Sequence, residues 1–101
     1  MVRYEVVLEV APERAAALEA YMRGRHIPEI LATGCFRAIR FERAAPERWR
    51  TCYEAATEAD LERYLRDHAA HFRDDFRRSV GDDARPTREV WREVEAWRLP
   101  Q

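Results

Sequence analysis

The chain has 101 residues, 47% of them hydrophobic and 37% charged, and its net charge is −1. That length predicts one domain, residues 1–101, with a small core. The near-balance of charge excludes an electrostatic case for nucleic acid or an anionic membrane, and no apolar run approaches the ~20 residues of a membrane-spanning helix.

The N-terminus, "MVRYEVVLEV", alternates polar and apolar residues and lacks the continuous apolar stretch of an export signal. Val2, Tyr4, Val6, Leu8 and Val10 fall on one face, and Arg3, Glu5, Val7 and Glu9 on the other. Period two with β-branched residues predicts a strand with one buried face. "APER" then opens a helix, with Pro12 near its first position, where the missing N–H costs nothing. Leu18, Tyr21, Met22 and Arg25 continue it at helical spacing, and Gly24 weakens its end. Pro28 pushes Ile27 away from helical geometry, so the helix is expected to stop near Arg25 or His26. Pro28-Glu29 starts a short further turn, and Gly34 ends it as a left-handed residue.

Residues 35–43 and 48–56 alternate again, separated by a turn at Pro46, and read as a β-hairpin. Thr57 is an N-cap with Asp60 three residues on. Leu61, Tyr64, Leu65, His68, Ala69, Phe72, Phe76 and Val80 form a stripe at 3.6 spacing, which Gly81 closes. Residues 87–97 suit helix or strand. Their β-branched residues and two tryptophans, directly after a loop with Pro86, favour strand.

The order β-α-β-β-α-β predicts an α+β, ferredoxin-like fold, a four-stranded antiparallel sheet with two helices on one face. Two helices cover only one face of such a sheet. By alternation, the other face carries Arg3, Glu5, Glu9, Phe36, Arg40, Arg50, Cys52 and Glu54, with Trp91 and Trp97 added. Large aromatics on an otherwise solvated face suggest a partner, and the simplest is a second copy.

"RYEVVLEV", "HIPEILATGCF", Arg40 in the second strand, and "YEAATEADLERYL" together resemble an uncharacterised bacterial family of about one hundred residues, described only as a domain of unknown function, within the dimeric α/β-barrel class of ferredoxin-like folds. The likeness spans nearly the whole chain and is most specific at His26-Ile27-Pro28-Glu29 with Thr33-Gly34. It implies a homodimer whose two sheets enclose a cavity. Relatives in the class include small monooxygenases, haem-degrading enzymes, isomerases and ligand-sensing domains, and fold alone does not choose among them.

His26 therefore has two readings. It interacts with the last carbonyls of its helix, or it is a general acid/base at the cavity mouth. Arg40 on the open face suits an anionic ligand, or pairs with Glu42, Glu54 or a partner's glutamate. Glu29, Glu54 and Trp91 complete the candidate ligand contacts. His68-x-x-His71 has one-turn spacing but no third ligand, so no metal is expected. Cys35 and Cys52 are out of register for a disulfide, and two cysteines make no disulfide framework. Three glycines leave no phosphate loop. No cofactor is expected.

The function expected is a cytoplasmic, homodimeric small-molecule binder with its cavity between the sheets. The alternatives are a cofactor-independent monooxygenase- or isomerase-like enzyme that uses His26, and a non-catalytic dimeric interaction module. Convergence of His26 and Arg40 on one enclosed space separates the first two from the third.

Overall fold

In the computed structural model, which describes residues 1–100, strand β1 (Val2–Glu9) leads through a 3-10 turn (Pro12–Arg14) into α1 (Ala15–Tyr21), a π-helical turn (Met22–His26) and α2 (Ile27–Leu31). Then come β2 (Ala38–Ala45), β3 (Arg48–Ala55), α3 (Glu58–Asp67), α4 (Ala69–Val80) and β4 (Thr87–Arg92). The sheet order is β2-β3-β1-β4, with every neighbouring pair antiparallel. This is the α+β, ferredoxin-like fold that the element order predicts. Among the described residues no helix is long and apolar enough to cross a membrane.

Local chemistry explains most boundaries. The β2–β3 hairpin turns at Pro46, where the Trp49 indole N–H donates to the Pro46 carbonyl at 3.0 Å. Thr57 caps α3 by accepting from the Asp60 N–H at 3.2 Å. Gly34 (φ +76°) and Gly81 (φ +93°) both take the left-handed backbone that disfavours a side chain. The long second helical segment bends at His68 (φ −127°, ψ −32°), which divides α3 from α4.

The buried face of β1 is the one expected, and its residues divide between two clusters. Val2 and Tyr4 join Ile30, Phe36, Tyr53, Tyr64 and Phe72. Leu8 and Val10 join Leu18, Met22, Trp49 and Val80. Val6 packs against both. Each large buried side chain contributes roughly 1.5–3 kcal/mol, so two half-cores of this kind hold the helices on the sheet. The seam between them is where His26 and Thr51 lie.

Four expectations are corrected. The first helix does not stop at His26. Ile27 is helical (φ −66°, ψ −48°), and the chain continues through Pro28 into α2. Phe36 is buried in the core and does not lie on the open face, because β2 begins only at Ala38 and strand alternation does not reach it. Strand β4 ends at Arg92, so Trp97 lies beyond the sheet and is 81% exposed. Leu65 is exposed, one position off the buried stripe of α3.

Candidate functional site

The π-helical turn positions His26. In a regular α-helix Pro28 lacks the N–H for the carbonyl four residues back, and its ring crowds that carbonyl. Here the Ile27 N–H bonds Met22 O, five residues back, and the widened turn carries the chain past the proline. Burial of Ile30 in the core holds α2 against the pre-proline preference of Ile27. Met22 and His26 both face inward as a result.

His26 is only 8% exposed. It packs edge-on to Phe72 and Phe76, at ring-centre distances of 6.1 and 5.7 Å. Burial pulls its pKa down to about 4, opposed in part by the Asp75 carboxylate, so the ring is neutral at neutral pH. The expectation of a histidine at an open cavity mouth is corrected: the ring sits under the helices.

A short network fixes its tautomer. The Tyr21 hydroxyl donates to Asp75 Oδ2 at 2.9 Å. Arg25 Nη2 donates to Asp75 Oδ1 at 2.7 Å, and Arg25 Nε lies 3.4 Å from Glu29 Oε2. Burial, then the bond to Asp75, pushes the Tyr21 phenol up, which keeps it protonated. Its hydrogen is committed to a carboxylate that can only accept. Across the 3.4 Å to His26 Nδ1 the phenol oxygen is therefore the acceptor. Nδ1 carries the proton, and Nε2, with no hydrogen-bond partner among the described residues, keeps a free lone pair.

His26 lines a small pocket at the seam of the two clusters, about 40 Å³ in volume, with Tyr4, Thr51, Tyr53, Tyr64 and Phe72 among its walls. Thr51 is fully buried, at 0% exposure, and its Oγ1 makes no hydrogen bond. The Tyr53 phenol, two residues along the same face, is pushed up by burial; the Thr51 hydroxyl offsets this in part, without reaching hydrogen-bond geometry. Arg73 and Arg88 also line the pocket. Arg73 donates to the Tyr4 hydroxyl at 2.9 Å. Thr51, Arg73, Arg88, Tyr21 and Asp75 were not singled out as site residues by the sequence. Thr51 and Arg88 did carry a signal: each is the polar residue in the helix-facing phase of a strand, between Trp49 and Tyr53 and beside Val90.

Three of the remaining sequence-predicted residues, Arg40, Glu54 and Trp91, lie on the other side of the sheet. Arg40 pairs with Cys52 in register, Glu54 with Arg3, and Arg3 with Trp91, so all face away from the helices. Glu54 is covered by three guanidinium groups: Arg37 at 2.8 Å, Arg3 at 3.6 Å and Arg40 at 3.7 Å. The Arg37 hydrogen bond is the main cause that holds the Glu54 carboxyl below the usual range. Its cover is long surface side chains and not packed core. Arg40 thus has the ion-pair partner that its second reading names. Trp91 is 53% exposed. Glu29 is on the helical surface, bound to Arg25. Within one chain the sheet separates His26 from Arg40, and the two do not converge.

His68 stacks on Tyr64 at 6.3 Å, and His71 lies edge-on to Phe72 at 5.0 Å. Among the described residues no three His, Cys, Asp or Glu side chains are grouped to hold a metal ion. Cys35 and Cys52 are free and buried.

This strand order, with the helices packed on one face of the sheet, defines a ferredoxin-like α+β domain. The chain belongs to the family described as a domain of unknown function (DUF4286), whose model matches residues 1–94. Its fold is similar to the crystal structure of a candidate antibiotic biosynthesis monooxygenase from Deinococcus radiodurans, with a TM-score of 0.71 and 13% identity over 100% of each chain. At that identity the likeness establishes the fold alone. No curated protein matches the sequence.

Proposed function

We propose that this protein binds a small molecule in the pocket between helices and sheet, and that it works as a homodimer built on the open sheet face. The carrying observation is that His26, whose Nδ1 is turned to Tyr21, and Thr51, whose buried Oγ1 has no hydrogen-bond partner, line one aromatic-walled space. Leaving a buried hydroxyl unpaired costs about 1–3 kcal/mol, and a ligand that supplies the missing partner recovers it. This moves the expected site from between two sheets to within each chain. The dimer reading rests on Trp91, which stands exposed beside Arg3 on the uncovered face.

The test is a fragment library screened by amide NMR on the full chain. Hits that shift Thr51, Tyr53 and His26 support the reading. A library in which every hit maps to the open face around Glu54 and Arg40 returns the site to the space between two sheets. No hit at either place removes the binding function.

A second reading has its own observation. A neutral imidazole with a free Nε2 lone pair is the form a general base requires. Together with the fold shared with a candidate monooxygenase, this supports a cofactor-independent enzyme with His26 as the base. His26→Gln would then abolish turnover of a bound fragment while retaining its binding.

A further inference from the structure

The seam pocket is not isolated. It shares Arg73, Phe76, Pro86 and Arg88 with an open groove of about 370 Å³ that runs past Gly81 and Asp82. The inner space, at about 40 Å³, admits only the end of a molecule. The groove has room for the rest. Any occupant therefore has two parts in two chemical settings.

The two settings differ in charge. Arg73 comes from α4 and Arg88 from the helix-facing phase of β4, opposite Val6. Both stand where pocket and groove join. Neither has a carboxylate within 4.0 Å among the described residues, whereas the neighbouring Arg77 is paired with Asp74 and Arg14 lies 3.9 Å from Asp83. Asp82 is the one acidic wall of the groove, and it pairs with neither arginine. In a chain with 19 acidic residues for 18 basic ones, two unpaired guanidinium groups at one opening are a local excess of positive charge. Guanidinium forks match a carboxylate bidentately. At the inner end the groups ask for the opposite partner: a lone pair at His26 Nε2 accepts a hydrogen bond, and Thr51 Oγ1 can give or take one. The walls between are tyrosine and phenylalanine rings.

Building on the pocket reading above, we infer that the ligand is a small organic acid of the hydroxy-carboxylate class, with its carboxylate held by Arg73 and Arg88 at the opening and its hydroxyl donating to His26 at the seam. The ring or chain between the two groups lies against the aromatic walls.

A matched set of probes tests this: 4-hydroxybenzoate, benzoate, and the neutral 4-hydroxybenzyl alcohol, titrated into the full chain by amide NMR. 4-Hydroxybenzoate is expected to shift Thr51 and His26 and to bind about tenfold more tightly than either analogue, the scale of one charge-assisted hydrogen bond. Arg88→Gln lies on an exposed edge strand and leaves the core intact. It should weaken the acid about tenfold and leave the neutral alcohol unchanged. Arg85→Gln, outside the pocket, should change neither. Equal affinity for acid and alcohol, or acid binding indifferent to both Arg88→Gln and Arg73→Gln, overturns the anionic class while the pocket stands. Absence of any shift at Thr51 or His26 with all three probes overturns this inference, whatever other fragments bind there. Library hits confined to the open face overturn the pocket itself.

Discussion

His26 and Tyr21 are joined across 3.4 Å, with the imidazole Nδ1 as donor and the phenol oxygen as acceptor, because the phenol hydrogen is already given to Asp75. One carboxylate on α4 thereby sets the tautomer of a histidine in the first helical segment. The arrangement leaves the imidazole neutral at neutral pH, with Nε2 free of any side-chain partner among the described residues.

That burial has a pH signature. The folded pKa of His26 is about 4, against 6.5 ordinarily. Above pH 6.5 both folded and unfolded forms are neutral and His26 adds no pH dependence. Between 6.5 and 4 the unfolded chain takes up a proton that the folded one refuses, so stability falls as pH falls, by up to about 3 kcal/mol. Urea denaturation at pH 7 and pH 4.5 should show this drop in the wild type and a much smaller one in His26→Gln. Equal drops in both would mean that the imidazole is solvated. Glu54, held down by Arg37, loses its contribution as pH falls from the ordinary carboxylate value of 4.5 toward its lower folded one, and does so in both proteins.

Thr51→Val should leave the protein as stable as wild type or raise its stability by about 1–2 kcal/mol. The change keeps the shape and removes a buried hydroxyl with no partner. Thermal unfolding checks it. A loss above 1 kcal/mol would show that the hydroxyl is satisfied in solution.

Phe72 belongs to the first core cluster, stacks with Tyr64 at 6.3 Å and walls the pocket. Phe72→Ala should cost about 3–5 kcal/mol, a large share of what a domain of this size has. Chemical denaturation that gives less than 1 kcal/mol would contradict its place in the core.

Light scattering at micromolar concentration should report about twice the 12.0 kDa chain. Trp91→Glu should shift the protein to monomer without loss of helical signal, since the side chain is exposed in the single chain. A monomeric wild type would remove the dimer and any space between two sheets, and would leave the seam pocket in place.

Local chemistry was enough for much of the architecture. Period-two alternation in residues 2–10 marked the buried face of β1, Thr57 and Gly81 marked the ends of the second helical segment, and Gly34 marked the exit from the first. Each is an interaction between near neighbours, so a linear reading reaches it. The resemblance led to a family described only as a domain of unknown function, and such a family model matches residues 1–94. What the chain alone did not decide was which side of the sheet His26 occupies. The pre-proline rule ended the helix at His26, but Ile30, buried among residues from the sheet and α3, keeps the chain helical through a π turn and swings the imidazole inside. Strand alternation put Phe36 on the open face, but the strand begins two residues later. Arg40 was paired with His26 in one hypothesis, yet the sheet stands between them. Thr51 became visible as a candidate site residue only once helices from two distant segments closed over it, because an orphaned hydroxyl is defined by the groups that fail to reach it, and those come from the whole fold.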